Sequence, residues 1–172
     1  CLPYLAEVAN AEQQGRWLPG FVRGGLIAAI AMTEPGAGSD VAAIRTTGAD
    51  AGDPFLVNGA KTFITNGQNA DLLITAVRTS PDRHNGLTLL VLERGMAGFE
   101  RGRNLDKLGL HCQDTSELSF TDVAVPKANV LGEVGRGFEY LMRNLPQERM
   151  QIAVGSLGRA RAALHWTVDY VR

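Results

Sequence analysis

Apolar positions recur at two different periods along this chain, and the switch between them divides it into three stretches. Near the start, Leu2, Leu5, Val8 and Ala9 fall at helical spacing. Gln13-Gln14-Gly15 then reads as a helix end, and Pro19-Gly20 and Gly24-Gly25 punctuate the next ten residues. From about Leu26 to Val125 the texture changes to short apolar or β-branched runs separated by Gly, Asn, Asp and Pro. These runs predict strands at Ile27–Thr33, Thr46–Ala49, Phe55–Phe63, Leu72–Arg78, Leu87–Glu93 and Leu118–Val125. Asn58-Gly59, between Phe55-Leu56-Val57 and Lys61-Thr62-Phe63, predicts a tight hairpin. Strands with no helices between them predict a mainly β middle domain, an antiparallel barrel or sandwich, rather than a doubly wound sheet. From Gly137 the helical period returns with Phe138, Leu141 and Met142. Met150, Val154, Leu157, Ala160, Leu164, Val168 and Val171 then mark one apolar face. Pro146 suits a first turn, so a new helix is predicted to begin near Asn144–Leu145. The expected division is an α-helical segment over 1–25, the β-domain over 26–134 and a second α-helical segment over 135–172.

The 172 residues leave room for one domain with attachments. The balance of 45% hydrophobic and 20% charged residues is that of a globular chain. A net charge of −1 gives no bulk attraction for nucleic acid or an anionic membrane. No apolar run approaches the ~18–20 residues of a membrane helix, and no signal peptide is visible. Two cysteines, Cys1 and Cys112, are too few for a disulfide framework, so a reducing compartment is expected. Both helical segments carry apolar faces for which the sequence pattern predicts no partner in the chain. The sequence opens on Cys1-Leu2-Pro3 and stops at Tyr170-Val171-Arg172 within a helical pattern, which reads as a piece of a longer protein.

Three segments carry candidate chemistry. In Thr33-Glu34-Pro35-Gly36-Ala37-Gly38-Ser39-Asp40, a strand runs into a Gly-rich turn. Gly36 and Gly38 allow backbone N–H groups to converge on one point, and Ser39 adds a hydroxyl donor. Such a turn serves equally as a plain connection or as a phosphate cradle. Lys61-Thr62-Phe63-Ile64-Thr65-Asn66-Gly67 sets an aromatic and a hydroxyl two residues apart, on one face of a strand. That pair could hold a flat heteroaromatic ring, or lie in a half-buried strand ending in an Asn-Gly turn. Leu145-Pro146-Gln147-Glu148-Arg149 is either ordinary helix-start chemistry or the seat of a carboxylate base. Gly132-x-x-Gly135-x-Gly137 lacks the spacing and the βαβ setting of a dinucleotide fingerprint.

Taken in order, these segments resemble the acyl-CoA dehydrogenase family over essentially the whole chain. The resemblance rests on Thr33 to Asp40, on Asn58-Gly59-x-Lys61-x-Phe63-Ile64-Thr65-Asn66-Gly67, and on Asp106-Lys107-Leu108-Gly109 with Asp114-Thr115. It continues through Phe120-x-Asp122-Val123-x-Val125-Pro126 and Leu131-Gly132-Glu133. The resemblance implies FAD as cofactor, lined by Ile30, Met32, Thr33, Gly38 and Ser39. Phe63, Ile64 and Thr65 would flank the flavin ring. Ile30 stands where some members carry Tyr and Phe63 where many carry Trp; both keep apolar bulk. Long-chain and isovaleryl-type members place their catalytic glutamate in a Glu-Arg pair on the first helix after the β-domain. Glu148-Arg149 matches that pair, which implies Glu148 as the general base. Ser39, Pro146, Gln147 and Arg149 would contact the acyl-CoA substrate, and no metal is expected.

The implied reaction removes the α-proton of an acyl-CoA thioester and passes the β-hydrogen as hydride to the flavin, giving a trans-2-enoyl-CoA. An electron-transfer flavoprotein would take the electrons. A homotetramer or homodimer is implied for the full-length protein, in the bacterial cytoplasm or the mitochondrial matrix. The rivals are a same-fold acyl-CoA oxidase or flavin monooxygenase, and a segment without activity of its own. The family's FAD site also draws on C-terminal helices and a neighbouring subunit, so this stretch alone is expected to bind FAD weakly or not at all.

Overall fold

The structure, a computed structural model, describes residues 1–172. A π-helical turn over Tyr4–Val8 buries Tyr4 and Leu5. Asn10 opens helix α1 (Ala11–Val22): its side chain accepts from the Gln13 N–H at 2.9 Å, and the Gln13 side chain accepts from the Asn10 N–H at 3.1 Å. This reciprocal box satisfies two donors that a helix start leaves open. α1 does not end at Gly15 as its glycine suggests. The Gln13 amide donates to the carbonyls of Ala128 and Val130 at 2.8 and 2.7 Å, and Trp17 is buried one turn on. Tertiary anchoring of that face outweighs the ~1 kcal/mol helix penalty of one glycine.

Eight strands follow: β1 (Ala28–Ala31), β2 (Thr47–Asp50), β3 (Phe55–Thr65), β4 (Leu72–Arg78), β5 (Leu87–Glu93), β6 (Phe99–Asn104), β7 (Thr115–Val125) and β8 (Val130–Leu131). They form one sheet in the order β6-β7-β3-β2-β4-β5-β8, with β1 paired to β4. Most pairings are antiparallel, as the pattern predicts. β1 runs parallel to β4, from Ala28↔Leu72 to Ala31↔Thr75, and Thr47 makes a parallel bridge to Arg78, so the sheet is mixed. β4 and β5 are buried at every position but the last. Continuous apolar runs such as theirs suit strands covered on both faces. Phe55, Val57, Leu73, Leu90 and Val123 belong to the core between the strands.

Three further sequence expectations change. Asn58-Gly59 is not a hairpin: β3 passes through it as one strand, and its register against β7 slips between Val57 and Gly59. Gly59 has φ 148°, and a Cβ there would lie 2.6 Å from the Thr46 hydroxyl. The glycine serves a bulge with close backbone approach, while Asn58 exchanges hydrogen bonds with Asp122 across the pair. Gly59→Ala is expected to cost about 1–3 kcal/mol in urea unfolding, the range for a residue held in a forbidden backbone region. β6, with the polar sequence Phe-Glu-Arg-Gly-Arg-Asn, and the two-residue β8 escape prediction, and β7 starts at Thr115 rather than Leu118.

The third change concerns Pro146. Helix α2 (Gly137–Val171) is continuous through it, with no break near Asn144–Leu145. Proline removes one intrahelical donor and crowds the carbonyl four residues back, and the helical turns on either side persist. The chain divides into two compact units, Cys1–Tyr140 and Leu141–Arg172, the second consisting of the greater part of α2. No helix is long and apolar enough to cross a membrane.

Candidate active-site cleft

β1 ends at Ala31, and the chain continues through Met32 and Thr33 into a tight turn. The Glu34 N–H donates to the Ala37 carbonyl at 2.8 Å and the Ala37 N–H returns the bond to Glu34 at 3.1 Å, closing the turn around Pro35-Gly36. Alongside, the far end of β3 departs from regular pleating. Its register against β7 shifts again between Lys61 and Ile64, and Phe63 takes φ 58°. Strand side chains alternate faces, so Phe63 would follow Lys61 inward. The left-handed residue turns it out instead: Lys61 and Thr62 are buried, and Phe63 is 66% exposed. A bulky residue in that region costs about 1–3 kcal/mol and persists where its surroundings over-determine it.

The two segments enclose a cleft of about 290 Å³. Ile30, Met32, Thr33, Phe63, Ile64 and Thr65 all line it, so six of the predicted cofactor residues come together. Gly38 and Ser39 lie on the exposed bend after Ala37, outside the cleft lining. The cleft offers an exposed aromatic face, the aliphatic flank of Ile30 and the hydroxyls of Thr33 and Thr65. That set suits a flat ring with polar edges. Its volume is at the small end for ligand pockets, enough for a ring system and too little for a dinucleotide.

Behind this cleft lies a buried ion pair that none of the three sequence segments announces. The Lys61 ammonium is fully buried and donates to the Glu34 carboxylate at 2.9 Å and to the Met32 carbonyl at 3.0 Å. The same carboxylate accepts from the backbone N–H groups of Arg45 and Thr46 at 2.7 and 2.9 Å. A usable signal existed: Lys61 falls in step, two residues at a time, with core residues Phe55 and Val57. A lysine in that register demands a buried carboxylate.

Burial raises the Glu34 carboxyl, but the Lys61 charge and the bonds from Thr46 and Arg45 outweigh it and hold it below its ordinary 4.5. Burial brings Lys61 from 10.5 down to about 8 against the pull of Glu34, so the ammonium remains predominantly charged at neutral pH. With Glu34 depressed in the fold, the unfolded chain binds more protons as pH falls below about 4.5. The contribution of Glu34 is therefore complete above that value and is lost as pH falls through the lower, folded one. Melting temperature should fall with acid below about pH 4.5, and Glu34→Gln should flatten that limb. Thermal unfolding of both proteins from pH 3 to 7 checks it.

In the second unit, Pro146, Gln147, Glu148 and Arg149 occupy consecutive positions on α2. Glu148 is half-buried and the other three are exposed.

Residues 29–123 match the acyl-CoA dehydrogenase middle domain, and residues 135–172 match the acyl-CoA dehydrogenase C-terminal domain. The chain belongs to the acyl-CoA dehydrogenase family. It is 42% identical over 174 aligned residues to the mitochondrial long-chain specific acyl-CoA dehydrogenase of Rattus norvegicus, covering 99% of this chain and 40% of that protein. The crystal structure of an acyl-CoA dehydrogenase from Geobacillus kaustophilus shares 56% identity at a TM-score of 0.87, over 89% of this chain and 41% of that one. The FAD complex of PigA aligns at a TM-score of 0.80 and 33% identity, over 83% of this chain and 38% of that one. The chain thus spans about 40% of the length of the acyl-CoA dehydrogenases it matches.

Proposed function

We propose that the protein to which this chain contributes carries out FAD-dependent α,β-dehydrogenation of an acyl-CoA thioester. Its residues 26–134 supply the middle β-domain, and 1–25 and 135–172 supply parts of the helical domains on either side. The observation that carries the reading is the cleft between β1 and β3, where an exposed, strained Phe63 stands with two threonine hydroxyls and an aliphatic wall. The aligned FAD complex of PigA supports the same cofactor for this fold. When bound, FAD supplies the hydride acceptor. Phe63 and Ile30 shield the ring from water, and Thr33 and Thr65 offer hydroxyl bonds to its polar edge. Met32 and Ile64 complete the wall, while Gly38 and Ser39 present donors to the phosphates.

Glu148 takes the α-proton as general base. Pro146, Gln147 and Arg149, with Ser39, contact the acyl-CoA. An electron-transfer flavoprotein accepts the electrons, and the full-length protein assembles as a homotetramer or homodimer.

The test is made on the full-length protein. Stoichiometric FAD with absorbance near ~450 nm is expected, bleached by acyl-CoA under anaerobic conditions and reoxidised by an electron-transfer flavoprotein. Hydrogen peroxide released in proportion to turnover would replace the dehydrogenase with an oxidase. Absence of flavin from the purified protein would remove both.

A further inference from the structure

The Lys61–Glu34 pair lies outside every step proposed above, and the Lys61 ammonium ties together the two segments that line the cleft. Lys61 belongs to β3, two residues before Phe63, and its ammonium holds the Met32 carbonyl as well as Glu34. The Thr62 N–H donates to the Thr33 carbonyl at 2.9 Å, so the distorted end of β3 is stitched to the β1 extension at successive residues. Glu34 in turn closes the Pro35-Gly36 turn and anchors Arg45 and Thr46. A buried ion pair is an expensive way to glue a core, since an apolar pair of like volume often does as well. What it adds is direction. Each donor and acceptor fixes a position, whereas apolar contacts slide.

We propose that the buried Lys61–Glu34 pair is a latch that presets the Phe63 ring, tying the β1 extension to the β3 bulge so that the cleft is shaped before its ligand arrives. Lys61 and Glu34 are positioning residues: neither is assigned a contact with substrate or cofactor. The strained backbone at Phe63 persists because Lys61 and Thr62 are held on one side and Ile64 is buried on the other. Loss of the latch lets residues 61–65 relax toward regular pleating, which would swing the ring away from the cleft. That the preset ligand is a flavin rests on the function proposed above.

The experiment uses the full-length protein labelled with 4-fluorophenylalanine, the Phe63 resonance being assigned with Phe63→Leu. FAD-free wild type is expected to give one narrow Phe63 signal. Lys61→Met should broaden or split it and weaken FAD binding by about ten- to a hundredfold in a fluorescence titration. Lys61→Arg, which keeps the charge, should recover part of both. If Lys61→Met does not fold, Glu34→Gln decides by the same two readings, because it keeps the shape and one acceptor oxygen. A folded variant with an unchanged Phe63 signal and FAD affinity within about twofold of wild type would overturn the latch. A wild type that binds no FAD would instead overturn the flavin reading, and the fluorine signal would still decide the latch.

Discussion

Glu148→Gln in the full-length protein is expected to slow α,β-dehydrogenation by about 10²–10⁴-fold, the usual contribution of a positioned general base. The amide keeps the size and hydrogen-bonding reach of the carboxylate and cannot take a proton at the pH of the reaction. Glu148 is half-buried on α2, two residues after Pro146, so the exchange asks little of the helix. Bound FAD should therefore be retained, and the loss should appear in the reductive half-reaction, read as anaerobic bleaching of the flavin after rapid mixing with acyl-CoA. Glu148→Asp should fall between the two, since a carboxylate withdrawn by one methylene still accepts a proton from a poorer position. Near-normal bleaching by Glu148→Gln would place the base elsewhere in the full-length protein.

The second large effect is on stability. Glu34→Ala should destabilise the fold by about 3–5 kcal/mol, because it strands a buried ammonium. It also removes the acceptor for the Arg45 and Thr46 N–H groups. For a domain of this size that corresponds to a melting temperature lower by roughly 10 °C. The exposed pair Arg83–Asp40, at 2.7 Å, supplies the contrast. Its removal by Arg83→Ala should change stability by no more than about 1 kcal/mol, since water screens both partners. Differential scanning calorimetry of the two variants side by side separates the buried pair from the surface one. Similar losses in both would mean that burial is not what gives the Glu34 pair its weight.

Much of the sheet was legible because its central strands are apolar on both faces. Leu72–Arg78 and Leu87–Glu93 appear with the bounds their composition predicts. Reading failed where one residue type serves two geometries. Asn58-Gly59 favours a hairpin turn and also fits a bulge; only the approach of Thr46, the residue before β2, decides between them. Pro146 suits a helix start and is tolerated within a helix when the turns around it hold. β6 carries no apolar signal because most of its positions face solvent.

At the site, Ile30, Met32, Thr33, Phe63, Ile64 and Thr65 are close neighbours around the cleft. Their roles were suggested by family resemblance more than by pattern. The outward turn of Phe63 could not be read, since strand alternation predicts the opposite. Nor was the partner of Lys61 legible from its register alone: the register calls for a carboxylate, and tertiary structure brings Glu34 to it across 27 residues of chain.

The ends of the sheet bear on how the protein keeps to itself. The order begins at β6 and finishes at β8. An unpaired strand edge is a template on which another chain can add a strand, and a long apolar one invites aggregation. β6 displays Glu100 and Arg103 along a six-residue strand, and β8 is two residues long. One edge is studded with charge and the other is too short to seed pairing. The same polarity that hid β6 from the sequence reading helps keep a strongly apolar sheet from growing into a neighbour.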